Sequence, residues 1–157
     1  MTIQSHKKYV VVIGLGNELM SDEGVGIHLI RRLAELSDRF PSVEFVEAGS
    51  AGMNLLHLIA NRKKAVIIDC AKMGKKPGEM MRFTPAEAKS VKKLSNFSLH
   101  EADILQVINL SKQLGECPAE VVFFGIEPET MKPGQKLSKI LANSIESNAV
   151  IIQKELF

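Results

Sequence analysis

Asp22, Glu23, Asp69 and His100 are acids and an imidazole placed where a sheet-based protein can do chemistry. Asp22 and Glu23 lie in a glycine-rich loop, Gly14 to Gly26, that follows the apolar run Tyr9–Ile13. Asp69 ends a second apolar run, Ala65–Ile68, and the turn Gly125-Ile126-Glu127-Pro128 ends a third. His100 opens a helical segment on the crossover between those last two runs. In open parallel sheets ligands bind beyond the carboxyl ends of the strands, so all of these endings belong to one edge. Two carboxylates and one imidazole on separate loops can bind a divalent ion and leave coordination positions open. Such ligands suit Ni, Zn or Mn better than Cu(I). The same set can carry out general acid–base chemistry with no metal.

Each residue also has a plainer reading. Asp22 can cap a helix, and Glu23 in its first turn is favoured by the helix dipole. Asp69 can end a strand, and His100 can decorate its helix. His28 and His57 fall inside helical segments and His6 in a polar tail, so they rank lower as ligands. Cys70 has no base placed beside it and reads as a buried structural thiol. The glycine-rich loop is no dinucleotide fingerprint: Leu19 stands where the third glycine belongs, and Asp22 and Glu23 would repel a phosphate. No H-E-x-x-H helix is present and no Ser or Cys elbow stands out.

The elements that must position these residues alternate. Tyr9–Ile13, Ser42–Glu47, Ala65–Ile68, Glu79–Phe83 and Ala119–Phe124 read as strands. Between them lie a helix capped by Asp22 with Val25, Leu29, Ile30, Leu33 and Leu36 on its apolar side, and a short helix over Met53–Ala60. Ser98-Leu99-His100-Glu101 has capping-box form and opens a helix burying Ala102, Leu105, Ile108 and Leu110. The last helix spans about Lys136–Lys154, with Leu137, Ile140, Leu141, Ile145 and Ile152 toward the core. Right-handed βαβ units follow. The expected fold is a single three-layer α/β domain over residues 1–157: a mostly parallel twisted sheet of about five strands, with helices on both faces.

At 157 residues and net charge +2, the chain is long enough for a real core and close to neutral. Lys63-Lys64, Lys75-Lys76 and Lys92-Lys93 read as solvated surface. With no Trp and one Tyr to interleave with them, nucleic-acid binding is disfavoured. The first residues lack the apolar core of a secretory signal, and no apolar run approaches the ~20 residues of a membrane span, so a cytoplasmic protein is expected. Cys70 and Cys117 share no zinc-type spacing.

The loop Gly14-Leu15-Gly16-Asn17-Glu18-Leu19-Met20-Ser21-Asp22-Glu23-Gly24-Val25-Gly26 resembles the signature G-x-G-N-x-[LM]-x-x-D-[DE]-x-x-G of the hydrogenase maturation endopeptidases. The resemblance continues in order through Glu47-Ala48-Gly49-Ser50-Ala51-Gly52, Ala65–Asp69, Pro77-Gly78-Glu79, Ser98-Leu99-His100 and Gly125-Ile126-Glu127-Pro128, and so covers nearly the whole chain. Glu47-Ala48 departs from the more usual Asp-Gly, and Glu18 is an extra carboxylate expected to face solvent.

The resemblance implies an aspartic-type endopeptidase that removes the C-terminal extension of a [NiFe]-hydrogenase large-subunit precursor after nickel insertion. The metal is then nickel, the precursor's own, with Zn or Cd able to substitute in vitro. Carried over by position, the metal contacts fall on Glu23, Asp69 and His100. Glu23 and Asp69, with Asp22 as a base, are the catalytic candidates; Asn17, Gly125 and Pro128 are the substrate-binding ones. Two routes to peptide cleavage stay open: a metal-activated water, or water activated by a carboxylate with the metal as anchor. A non-catalytic nickel carrier and a doubly wound small-molecule enzyme are the alternative functions.

Overall fold

The computed structural model describes residues 7–50, 52–92 and 99–157, and of 89–92 and 99–103 the backbone alone. Strand β1 (Val10–Leu15) is the hydrophobic axis of the sheet, and its residues from Val11 onward are buried. It pairs in parallel with β2 (Val43–Gly49) on one side and β3 (Lys64–Cys70) on the other. β3 pairs in parallel with β5 (Glu120–Ile126), and β4 (Met80–Phe83) closes the far edge antiparallel to β5. The order is β2-β1-β3-β5-β4. Five strands, mostly parallel, were expected and are found.

Alternation along each strand feeds two cores. Val12, Val66, Ile68, Val122 and Phe124 join α1 (Val25–Ala34) and α5 (Lys139–Gln153) on one face. Val11, Ile13, Ala65, Ile67, Val121 and Phe123 join α2 (Asn54–Ile59), α3 (Pro85–Lys92) and α4 (Leu99–Gln113) on the other. Side chains in a strand point alternately to the two faces, so a continuous apolar run is what a doubly covered sheet needs.

Several expectations are corrected. Asp22 does not cap α1: Ser21–Gly24 forms a separate 3-10 turn, and Gly24 precedes α1 with no side-chain cap. β3 begins one residue early, at Lys64, and closes at Asp69-Cys70, where it was expected to end. α1 ends at Ala34, leaving Leu36 beyond it, although still packed on the core. α5 begins only at Lys139, where the Ser138 hydroxyl accepts a hydrogen bond from the Leu141 N–H at 3.4 Å. Ile140, placed on the core side by spacing, is exposed. Lys64 is no solvated lysine; it is held by Glu155 at 2.9 Å and Glu120 at 3.2 Å. α3 was not foreseen, and Ser98 of the capping box lies outside the described residues.

The chain leaves β1 through α1 for β2 on one side, and returns through α2 to β3 on the other. The β1–β3 boundary is therefore the topological switch point, where the two crossovers diverge and open a crevice. Gly26 lets α1 lie close over that boundary: a Cβ there would meet the Leu15 carbonyl oxygen at 2.2 Å and that of Ile68 at 2.7 Å. Both obstacles are backbone and cannot rotate away. Gly26→Ala is expected to destabilise the fold by about 3 kcal/mol, the upper part of the overpacking range, measured by urea unfolding. A loss below about 1 kcal/mol would show that α1 lifts without penalty.

Candidate active site

Two loops and a strand end meet at the crevice. The first loop leaves β1 at Gly16, whose φ of +136° is a glycine conformation and whose Cβ would strike the Glu23 carbonyl oxygen at 2.1 Å. The Asn17 N–H donates to that same carbonyl at 3.3 Å, and the Asn17 side-chain oxygen accepts from the Leu19 N–H at 3.0 Å. The loop thus folds back on itself and delivers Glu23 to the switch point.

There Glu23 stands near Asp69. Asp69 is half-buried at the end of β3, one of its oxygens accepting the Cys70 N–H at 2.8 Å. Burial pushes its pKa up from 3.8 to about 7; the Cys70 hydrogen bond opposes this, and the negative charge of Glu23 adds to it. Two carboxylates close enough to feel each other, one holding its proton to neutrality, form a pair suited to proton transfer or to a cation.

Asp22, next to Glu23 in sequence, does something else. It has no exposed surface. One carboxylate oxygen accepts the N–H groups of Glu129 at 2.9 Å and Thr130 at 3.0 Å, and the other accepts that of Ser138 at 2.7 Å. Ser21, at φ +54°, adds to the join, its hydroxyl donating to the Lys132 carbonyl at 2.7 Å and its N–H to that of Gly134 at 2.8 Å. Asp22 therefore ties the first loop to the segment after β5. A base must reach water, and this carboxylate, enclosed by backbone donors, does not. Asp22→Asn would turn an amide N–H₂ toward N–H donors. It should cost on the order of 3 kcal/mol, read from the denaturation midpoint, and speed amide exchange at Thr130 and Ser138. Unchanged stability would rule out the tether.

Glu127 plays the matching part for the segment after β3. Also buried, it accepts the Met73 N–H at 2.6 Å and the Gly74 N–H at 3.1 Å. Sequence reading passed over it as the variable position of its turn; a lone acid just past a buried strand is the signal that was available. Gly125, expected at the substrate, lies buried inside β5 opposite Asp69, where its missing side chain makes room for Ala71 and Met73. Pro128 is half-buried at the start of the tethered segment.

His100 is the second residue of α4, at the end of that helix nearest the crevice edge, and its side chain lies outside the described residues. Among the described residues no three His, Cys, Asp or Glu side chains gather around one point.

The family profile described as hydrogenase maturation protease (HycI) matches residues 27–155. The chain belongs to the hydrogenase maturation protease family. It is 31% identical over 140 residues to the hydrogenase 2 maturation protease of Escherichia coli, covering 87% of this chain and 84% of that one. To the hydrogenase expression/formation protein HoxM of Cupriavidus necator it is 28% identical over 138 residues, 87% of this chain and 68% of the relative. Among solved structures, the hydrogenase maturating endopeptidase HybD of E. coli superposes with a TM-score of 0.82 at 27% identity, over 94% of this chain and 91% of that one. The [NiFe] hydrogenase maturation protease HybD of Thermococcus kodakarensis gives 0.77 at 26% identity, over 94% and 99%. The five-stranded, mostly parallel sheet with its helices is the fold of these proteases, and the chain is a peptidase of this family.

In this maturation protease an open cleft of about 630 Å³ adjoins the first loop, lined by Asn17, Glu18, Leu19, Arg31, Glu47, Ser50 and Gln135 among others. Glu18 is not a simple solvent-facing carboxylate. Arg31 grips it with two hydrogen bonds of 2.7 Å and also holds Glu47. The Arg31 guanidinium keeps the Glu18 carboxyl below its ordinary range, the hydrogen bonds outweighing a small desolvation. All three side chains remain partly exposed, so their contribution to stability is small. Their effect is to fix the cleft wall. No described helix is long and apolar enough to cross a membrane.

Proposed function

We propose that this protease cuts the C-terminal extension from a [NiFe]-hydrogenase large-subunit precursor that already carries nickel, and that the nickel is part of what it recognises. The observation that carries the reading is the Glu23–Asp69 pair at the switch point, with Asp69 holding its proton up to about pH 7. Paired carboxylates that repel each other are relieved by a cation, and the cation on offer is the one the precursor brings. Glu23, Asp69 and His100 are assigned as its contacts from the protease side, carboxylate and imidazole being suitable partners for nickel.

The hydrolysis is assigned to Asp69. Its ionised carboxylate takes a proton from water as the oxygen attacks the scissile carbonyl carbon, and returns that proton to the departing amine nitrogen. Asp69 has two carboxylate oxygens, so one can meet the metal while the other exchanges the proton. Glu23 anchors the metal. Asp22 takes no part beyond positioning Glu23.

Incubating nickel-loaded precursor with the protein and weighing the product tests the reading. Cleavage should remove the mass of the C-terminal extension from the loaded form and leave the nickel-free form intact. An unchanged mass with loaded precursor overturns it.

A further inference from the structure

The segments after β3 and β5 carry Lys72, Lys75 and Lys76, and Lys132, Lys136 and Lys139, all exposed. Only Glu79 and Glu129 are exposed acids in the same segments, because Glu127 is turned inward onto backbone N–H groups. Among the described residues none of the six lysines forms a salt bridge, although other cations of the protein (Arg31, Arg32, Lys64 and Arg82) do. The segments abut: the Gly78 N–H donates to the Glu127 carbonyl at 2.8 Å, and the Glu127 N–H donates to the Glu79 carbonyl at 2.9 Å. They are also held rigid, one by Asp22 and the other by Glu127. Two buried carboxylates thus pin a collar of unpaired ammonium groups on the segments that follow β3 and β5, at the carboxyl end of the sheet where the acidic pair also lies.

We propose that this lysine collar is the docking surface for an acidic segment of the precursor protein, which it captures before the scissile peptide reaches Asp69. The inference rests on the function proposed above and names the chemistry of the partner. Unpaired like charges at the rim of a site raise the association rate of an oppositely charged partner and add strong dependence on salt. Fixed segments spare the ordering cost that mobile lysines would incur on binding. No aromatic residue lies in 71–79 or 127–139, so the stacking partners that single-stranded nucleic acid uses are missing, which favours a protein.

The test is charge reversal in two triple variants, K72E/K75E/K76E and K132E/K136E/K139E, with K112E/K154E at the opposite end of the sheet as control. Precursor binding is measured by titration under non-cleaving conditions, and processing by mass. Each triple variant should bind precursor roughly tenfold or more weakly at low salt, the range expected of electrostatic steering, with the difference vanishing near 0.5 M salt, where screening reaches only ~4 Å. kcat/KM should fall in parallel, and the control should match the parent. Unaltered precursor affinity in both triples, or an oligonucleotide bound more tightly than precursor through the same lysines, overturns the proposal. A protein that binds through the collar yet leaves the precursor uncut keeps this inference and removes the function proposed above.

Discussion

Asp69→Asn should reduce processing of nickel-loaded precursor by roughly 10³-fold, within the range that loss of a general base produces, while making the protein more stable. The two effects come from one cause. The side chain is half-buried at the switch point beside a second acid, an environment that opposes its ionisation, so its pKa lies at about 7 instead of 3.8. A neutral amide of the same shape fits that environment without the penalty. Initial rates by mass spectrometry and denaturation of the same variant suffice to check it. A rate within tenfold of the parent would take proton transfer away from Asp69.

The sign of the accompanying pH dependence is fixed by linkage. Between pH 4 and 7 the folded metal-free protein keeps the Asp69 proton while the unfolded chain has released it. Stability from this group is therefore full below about pH 4 and declines as pH rises toward 7. At pH 8 the Asn variant should exceed the parent by on the order of 2 kcal/mol, a figure discounted for the part of Asp69 that still meets solvent. At pH 4 the two should coincide. A parent protein with no deficit at pH 8 would mean that Asp69 ionises normally. Such a gain on disabling a site is what a strained functional group predicts.

The sheet was legible because burial on both faces forces continuous apolar runs: Val10–Ile13, Ala65–Ile68 and Val121–Phe124 stand out without any partner. Strand ends were less so. Asp69 remains in the ladder opposite Gly125, since pairing continues for as long as a neighbour offers hydrogen bonds, whatever the polarity of the side chain. The switch-point acids were singled out because the strand-end rule and the family resemblance both point to them. The work of Asp22 was not, because its three partners lie more than a hundred residues away in sequence, where no local spacing reports them. A cap reading was the natural local inference, and tertiary hydrogen bonds displaced it. Arg31 shows the same limit, reaching from a helix to one acid on the first loop and another on β2. Glu127 was hidden for a simpler reason: an acid in a turn looks solvated until the turn is folded.

His100→Ala should abolish processing and weaken the binding of Ni²⁺ or Zn²⁺ by the protein while leaving the fold intact, whereas His28→Ala should process normally. α4 begins at the crevice edge and ends at Gln113, from where the chain turns back into β5, so its first residues lie on the side of the sheet edge that Glu23 and Asp69 occupy. Two carboxylates alone are hard oxygen ligands with little preference for nickel over magnesium or calcium. An imidazole shifts the set toward the later first-row metals. On the function proposed above, the selectivity of the cut for nickel-loaded precursor should depend on a histidine, and His28 sits half-buried on α1. Loss of a ligand should lower metal affinity by about 10²-fold, the upper end of what outer-shell changes alone produce. Titration with Cd²⁺ or Zn²⁺ measures that term apart from catalysis, and circular dichroism confirms the fold. Full processing by His100→Ala, or equal loss in His28→Ala, would move the third contact elsewhere. Retained metal binding with lost cleavage would instead make His100 a partner of the scissile peptide, with the nickel recognised by the acids alone.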